Sequence, residues 1–132
     1  MLVDVQVHHE GAWTIVAIVG ELDLAVAPRV RQAVVGAIGS ATAAEPPAVV
    51  LDLGAVHFLD SSGLGVVLGT LRRVRQAGGT LRVVIAQAQV VDLFALLDLG
   101  AVLEVSASVD AATASPPGSL ARPVPTEVRG GG

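Results

Sequence analysis

The chain has 132 residues, a length typical of one domain and sufficient to bury a hydrophobic core without disulfides or a structural metal. It contains no cysteine, which excludes a disulfide framework, a thiolate nucleophile and a metal site with cysteine ligands. Its formal net charge is −4, and it has two phenylalanines, one tryptophan and no tyrosine. We therefore expect no nucleic-acid partner, because phosphates would be repelled and few side chains could stack on bases.

The first half of the chain predicts two strands, a helix and a further strand. Polar and apolar residues alternate over Leu2–His8, which is typical of an edge strand, whereas Trp13–Val19 is almost wholly apolar and predicts a buried strand. An amphipathic helix follows Asp23, a candidate N-cap, and its apolar stripe comprises Val26, Val30, Val34 and Ile38. Val49–Leu53 predicts a short third strand, after which Gly54–Asp60 is expected to be a connector.

The second half continues the alternation of helix and strand. A second helix has an apolar stripe made of Leu64, Val67, Leu68, Leu71 and Val74. After a strand at Leu81–Ile85, a third helix has a stripe made of Val90, Leu93, Phe94 and Leu97. Val102–Val105 predicts a last strand and Val109–Thr113 a helical turn. This order implies parallel strands joined by right-handed crossovers, and it places Leu68 and Phe94 in the core.

We assign residues 1–113 to one domain and residues 114–132 to a disordered tail. Ser115–Gly132 holds four of the seven prolines and ends in three glycines, so it has too little apolar surface to offset the entropy of ordering. Deleting Ser115–Gly132 is therefore expected to leave the stability of the domain nearly unchanged.

The sequence also predicts a cytoplasmic protein without a membrane partner. Its apolar stretches, of which Ala12–Val19 and Leu64–Leu71 are examples, fall well short of the ~20 residues that span a bilayer. Met1–Glu10 carries acids and histidines and lacks the basic and apolar regions of a signal peptide.

One stretch carries a candidate site. His57–Gly65 places an aspartate, two serines and a glycine at the junction between a strand and a helix. Such a junction exposes N–H groups and a dipole that favours anions, so a phosphate on a serine hydroxyl could be held there. Asp60 or Ser61 is a suitable N-cap, and plain helix capping would explain the same residues. The residues alone leave both interpretations open.

Three segments of the chain resemble one family. LDSSGLGVVLG at Leu59–Gly69 resembles the signature of the STAS-domain antagonists of anti-sigma factors, and GELD at Gly20–Asp23 and VVDLFALLDLGAVLEV at Val90–Val105 match in the family's order. The resemblance implies an α/β fold over residues 1–113. This fold is a single STAS domain, a right-handed β-α superhelix with a small mixed, mostly parallel sheet and helices mainly on one face.

The resemblance also implies a function. An antagonist of this family binds an anti-sigma factor serine kinase while it is unphosphorylated, which releases a sigma factor. The kinase phosphorylates the first serine of the signature, here Ser61, and a PP2C-type phosphatase resets the protein. We expect no cofactor, no catalytic residue and no metal. The partner-binding residues implied are Glu21, Asp23, Asp60, Ser62, Gly63 and Leu64. Parallel strands would bring Glu21 and Asp23 to the same end of the sheet as the signature.

Other functions fit the residues less well. A hydrolase built on His57 and Ser61 or Ser62 lacks the G-x-S-x-G elbow at either serine. Metal binding is disfavoured because the histidines, His8, His9 and His57, are scattered. The remaining alternative is a non-phosphorylated STAS adaptor subunit of a transporter or of a stress-sensing complex, and the serine at position 61 favours the phosphorylated class.

Overall fold

A computed structural model describes residues 4–119. Over this range, five strands and four α-helices follow one another along the chain. The strands are β1 (Asp4–Glu10), β2 (Trp13–Leu22), β3 (Ala48–Leu59), β4 (Thr80–Ile85) and β5 (Glu104–Ser106). The helices are α1 (Ala27–Gly39), α2 (Ser61–Gln76), α3 (Ala88–Leu96) and α4 (Val109–Thr113), with a 3-10 turn at Leu99–Ala101. None of these helices combines the length and the apolar character needed to cross a membrane.

The strands form a single mixed sheet in the order β1-β2-β3-β4-β5. β1 and β2 form an antiparallel hairpin whose turn contains Gly11 at φ 58°, a left-handed conformation that glycine adopts without strain. The pairs from β2 to β5 are all parallel, because a helical segment returns the chain between consecutive strands. The predicted mixed, mostly parallel α/β sheet is confirmed.

Helices α1, α2 and α3 cover one face of the sheet and enclose the main core. Their contributions to this core include Val30 and Val34 of α1, Val67 and Val74 of α2, and Val90 and Phe94 of α3. A smaller cluster lies on the second face, where α4 supplies Ala112 against Trp13, Ile15, Ala48, Val50 and Val84. The predicted placement of the helices mainly on one face is therefore confirmed.

Leu68 was predicted to be a core residue, and this was wrong. The buried residues of α2 are Gly63, Val67, Thr70 and Val74, a stripe with spacings of three and four residues. Leu68 comes one residue after Val67, which turns it about 100° around the helix axis from the buried stripe. Its side chain is 37% exposed, whereas Phe94 is 3% exposed.

This difference in exposure predicts unequal losses of stability for two substitutions. Phe94→Ala should lower the free energy of unfolding by about 3–5 kcal/mol, because it leaves a cavity in the main core. Leu68→Ala should lower it by less than about 1 kcal/mol, since its side chain keeps much of its contact with water. Urea unfolding of the two variants measures both values, and equal losses would contradict this assignment of the core.

β3 extends well beyond its predicted end at Leu53. Residues 54–59 continue the strand to Leu59 alongside β2, where a connector was predicted. The register shifts twice, between Ala17 and Val19 and between Gly20 and Glu21 of β2, and each shift inserts an extra residue on β3. These irregularities break the two-residue alternation that identifies a strand in sequence. They also bring the end of β3 to the start of α2.

The C-terminal segment differs from the predicted tail over its first residues. Residues 115–119 follow α4, and the side chain of Arg82 donates hydrogen bonds to the carbonyl oxygens of Ser115, Pro116 and Ser119. This contact could not be predicted from composition, because its acceptors are backbone carbonyl oxygens, which every residue has. Residues 120–132 of the predicted tail lie outside the described part of the chain.

Candidate functional site

The signature serines lie at the first turn of α2. Asp60 is the N-cap residue: its Oδ1 accepts a hydrogen bond from the N–H of Gly63 at 2.9 Å, and its carbonyl accepts from Leu64 at 2.9 Å. Ser61 is therefore the first helical residue, and it is exposed, whereas Ser62 is half-buried. Of the two capping candidates in the sequence, the structure selects Asp60, which leaves the hydroxyl of Ser61 outside the capping interaction.

Gly63 allows the first turn of α2 to approach the sheet. A Cβ atom at this position would overlap the carbonyl oxygen of Leu22 and lie 2.8 Å from Cδ1 of Leu59. Only a glycine therefore fits between α2 and the ends of β2 and β3. Because Gly63 is buried and Leu64 is half-buried against the main core, these two residues hold the turn in place.

Glu21 and Asp23 lie at the same edge of the sheet as Ser61. Glu21 pairs with Phe58, and Leu22 pairs with Leu59, directly before the cap residue. Parallel pairing was expected to bring these acids to this edge, and their placement there is confirmed. Both side chains are half-buried.

Asp23 organises the turn that precedes α1. Its Oδ1 accepts a hydrogen bond from the N–H of Ala25 at 3.0 Å, and its carbonyl accepts from Val26 and Ala27. The N-cap position of α1 belongs to Val26, which makes no side-chain capping bond. The prediction that Asp23 caps α1 was therefore wrong by one turn, since Asp23 closes the preceding turn instead.

Two exposed apolar side chains lie on the chain segments that end at the same edge of the sheet as Ser61, and their exposure was not predicted from the sequence. Phe58, three residues before Ser61, is 47% exposed, and Leu24, in the loop after β2, is 73% exposed. A shallow groove of about 210 Å³ lies beside Phe58, lined by His57, Phe58, Leu59, Gln89, Val90 and Leu93. A signal was present in the sequence, because Phe58 is one of only two phenylalanines and lies within the candidate stretch His57–Gly65, but it was assigned to a connector.

We call Glu21, Asp23, Leu24, Phe58 and Ser61 together the carboxyl-edge surface, because it lies where parallel strands β2 and β3 end. It combines an exposed hydroxyl, two exposed apolar side chains and two carboxylates. Within residues 4–119, no group of three histidines or carboxylates is arranged to hold a metal ion.

Comparison with known proteins identifies the family. The family model for the STAS domain matches residues 4–112. The chain belongs to the STAS domain family. This STAS domain is 32% identical over 92 residues to the anti-sigma-B factor antagonist of Bacillus subtilis (strain 168), a match that covers 70% of this chain and 80% of that protein.

Solved structures agree with this assignment. The STAS domain superposes on the crystal structure of an anti-sigma factor antagonist from Mycobacterium paratuberculosis with a TM-score of 0.69 and 26% identity, over 83% of this chain and 89% of that one. It has the same fold as the Bacillus cell fate determinant SpoIIAA in its phosphorylated form, with a TM-score of 0.60 and 21% identity, over 82% of this chain and 96% of that one. The relatives of this STAS domain are thus regulatory proteins.

Two substitutions of Asp60 separate its capping role from any role in recognition. Asp60→Ala removes the bond to the N–H of Gly63 and should lower the free energy of unfolding by about 1 kcal/mol, whereas Asp60→Asn keeps an acceptor and should change it by a few tenths. Thermal unfolding measures this difference. Equal stability of the two variants would show that the cap contributes nothing. A stable Asp60→Asn variant that loses partner binding would assign the carboxylate to recognition.

Proposed function

We propose that this STAS domain is an anti-sigma-factor antagonist controlled by phosphorylation of Ser61. While Ser61 is unphosphorylated, the carboxyl-edge surface binds an anti-sigma factor serine kinase, and the sigma factor is released. The observation that carries this proposal is the exposure of Ser61, whose hydroxyl takes no part in the cap and which lies at the edge of the sheet where Phe58 and Leu24 are also exposed. The names of the relatives as anti-sigma factor antagonists support the same role.

The choice of Ser61 over Ser62 follows from access to the two hydroxyls. A kinase must bring the hydroxyl oxygen in line with the γ-phosphate of ATP, which requires an accessible side chain. Ser61 is exposed at the first helical position, whereas Ser62 is half-buried and precedes the buried Gly63. The same exposure gives a PP2C-type phosphatase access to a phosphate on Ser61.

The charge of a phosphoryl group on Ser61 would explain how phosphorylation weakens binding to the kinase. A phosphoryl group adds about −1.5 to −2 charges at neutral pH. This charge would be added next to Asp60, at the edge of the sheet that also carries Glu21 and Asp23, and its removal from water in a dry contact would cost free energy. In the released protein the helix dipole and the first-turn N–H groups of α2 stabilise the phosphate. Phosphorylation therefore weakens the complex without a large change in fold.

A pull-down tests the proposal as a whole. We expect the Ser61→Ala variant, which cannot be phosphorylated at this position, to retain an anti-sigma factor kinase from an extract of the source organism. Peptide sequencing by mass spectrometry identifies the bound protein. Recovery of transporter subunits or of a stress-sensing assembly in its place would move the chain to the adaptor class.

A further inference from the structure

Arg82 is the largest side chain that is fully buried in the described part of the chain. Its guanidinium carries five N–H donors and stays charged at any physiological pH. All five donors have acceptors: Nε donates to Glu104 Oε1 at 2.9 Å, and both terminal nitrogens donate twice to backbone carbonyls. These carbonyls belong to Ala112, Ser115, Pro116 and Ser119.

The guanidinium also lies over Trp13, with its central carbon 4.6 Å from the centroid of the ring, a distance suited to a cation–π contact. Trp13 is the only tryptophan of the chain and belongs to the apolar cluster on the second face of the sheet. Arg82 thus joins three parts of the fold, namely the start of β2, the strand β4 and the segment after α4.

The path of the chain after α4 is set by a turn. Gly118 has φ +88°, a left-handed conformation, and its N–H donates to Oγ1 of Thr80 at 2.9 Å. This turn brings the carbonyl of Ser119 back to the guanidinium that Ser115 and Pro116 already contact. The contact therefore depends on the route of the backbone rather than on particular side chains.

We propose that Arg82 anchors residues 109–119 as a C-terminal strap, which closes the second face of the sheet. A buried guanidinium cannot lose its proton, so it is stable only while its donors are satisfied. If the strap detached, the guanidinium would lose every acceptor except Glu104, and the face around Trp13 would be open to water. The strap and the sheet therefore form one cooperative unit, and the folded domain extends through Ser119. Deletion of Ser115–Gly132 should thus destabilise the domain, in contrast to the expectation from composition, because it removes three of the acceptors of Arg82.

The strap lies away from the carboxyl-edge surface. Trp13 begins β2, and Ala48 and Thr80 pair at the first residues of β3 and β4, so this contact is at the amino-terminal edge of the parallel strands. Ser61 follows the opposite end of β3. The strap and Ser61 thus lie at opposite edges of the sheet, and the melting and fluorescence measurements below test the strap without reference to the function proposed above.

Full-length variants at Gly118 test the strap. Gly118→Pro removes the N–H that Thr80 accepts and forbids the positive φ, whereas Gly118→Asn keeps the N–H and tolerates a positive φ better than most residues with a side chain, so it serves as the matched control. We expect Gly118→Pro to lower the melting temperature by about 8 °C or more and to shift the fluorescence of Trp13 to longer wavelength, and Gly118→Asn to lower it by less than about half as much. Unchanged melting and fluorescence in Gly118→Pro would overturn the proposal.

A double-mutant cycle shows whether the strap acts through Arg82. Arg82→Met removes the buried charge, so in this background Gly118→Pro should lower the melting temperature by less than half of its effect in the otherwise unchanged chain. Equal effects in the two backgrounds would overturn the role of Arg82. In every folded variant we expect phosphorylation of Ser61 to be unchanged, and a loss confined to Gly118→Pro would contradict the separation of the two edges.

Discussion

Incubation of the protein with its anti-sigma factor kinase and ATP should place a phosphoryl group on Ser61 and none on Ser62. Ser61→Ala should abolish incorporation, whereas Ser62→Ala should remain a substrate, because only Ser61 is exposed at the first position of α2. Mass spectrometry of the intact variants and of their peptides measures both outcomes. Because Asp60 provides the cap, Ser61→Ala should unfold at nearly the same temperature as the unchanged protein.

Two substitutions of Ser61, to alanine and to aspartate, test the effect of charge on binding to the kinase. Ser61→Ala should bind the kinase as the unphosphorylated protein does, since the substitution adds no charge to the contact. Ser61→Asp should bind at least about tenfold more weakly, which corresponds to about 1.4 kcal/mol, because it buries an unpaired carboxylate. Phosphate on Ser62, or on neither serine while the complex forms and dissociates normally, would contradict the switch and favour a non-phosphorylated adaptor.

Phe58→Ala should weaken binding of the unphosphorylated protein to the kinase by about 30-fold or more, which corresponds to about 2 kcal/mol. Exposed aromatic side chains at the centre of an interface often dominate its affinity, and Phe58 is 47% exposed beside Ser61. Isothermal titration calorimetry with the purified kinase measures the dissociation constant.

The matched control for Phe58 is Val35→Ala. Val35 is 48% exposed on α1, so it presents a similar fraction of an apolar side chain outside the carboxyl-edge surface. We expect Val35→Ala to bind within about twofold of the unchanged protein, because surface positions outside an interface have small effects. If Phe58→Ala also binds within twofold while its melting temperature is unchanged, Phe58 lies outside the interface.

Local patterns identified most elements but not their full extent. The stripe of α1 and the apolar strands β2 and β4 follow periodicities that the sequence displays directly. The stripe of α3 does so at Val90 and Phe94, but Leu97, which was predicted to belong to it, follows the helix and is 45% exposed. β3 was cut short at Leu53 because the register shifts after it destroy the alternation, and pairing with β2 holds the strand in spite of them. Leu68 was misplaced because five apolar positions in α2 are more than one face can bury, and the contact with the sheet selects Val67.

The candidate site also has features that could be predicted from the sequence and features that could not. Asp60, Ser61 and Gly63 stand together in the sequence, so their position at a strand–helix junction could be predicted from local preferences. That Asp60 rather than Ser61 is the cap depends on backbone angles that either residue could adopt. The exposure of Phe58 and Leu24 depends on which parts of the sheet and its loops are covered by the neighbouring helices, and this cannot be predicted from a local sequence pattern.

The sequence by itself determined the class of fold, the order of its strands and helices and the location of the phosphorylation candidate, because these follow from side-chain periodicity and from short motifs. Only the tertiary structure decided which side chains are exposed at the edge of the sheet that carries Ser61 and how residues 115–119 are held. Arg82 illustrates the physical reason: it is the one charged residue of β4, and four of its five acceptors are backbone carbonyls 30 to 37 residues away. Every peptide unit carries such a carbonyl, so only the path of the folded chain selects the ones that satisfy the buried charge.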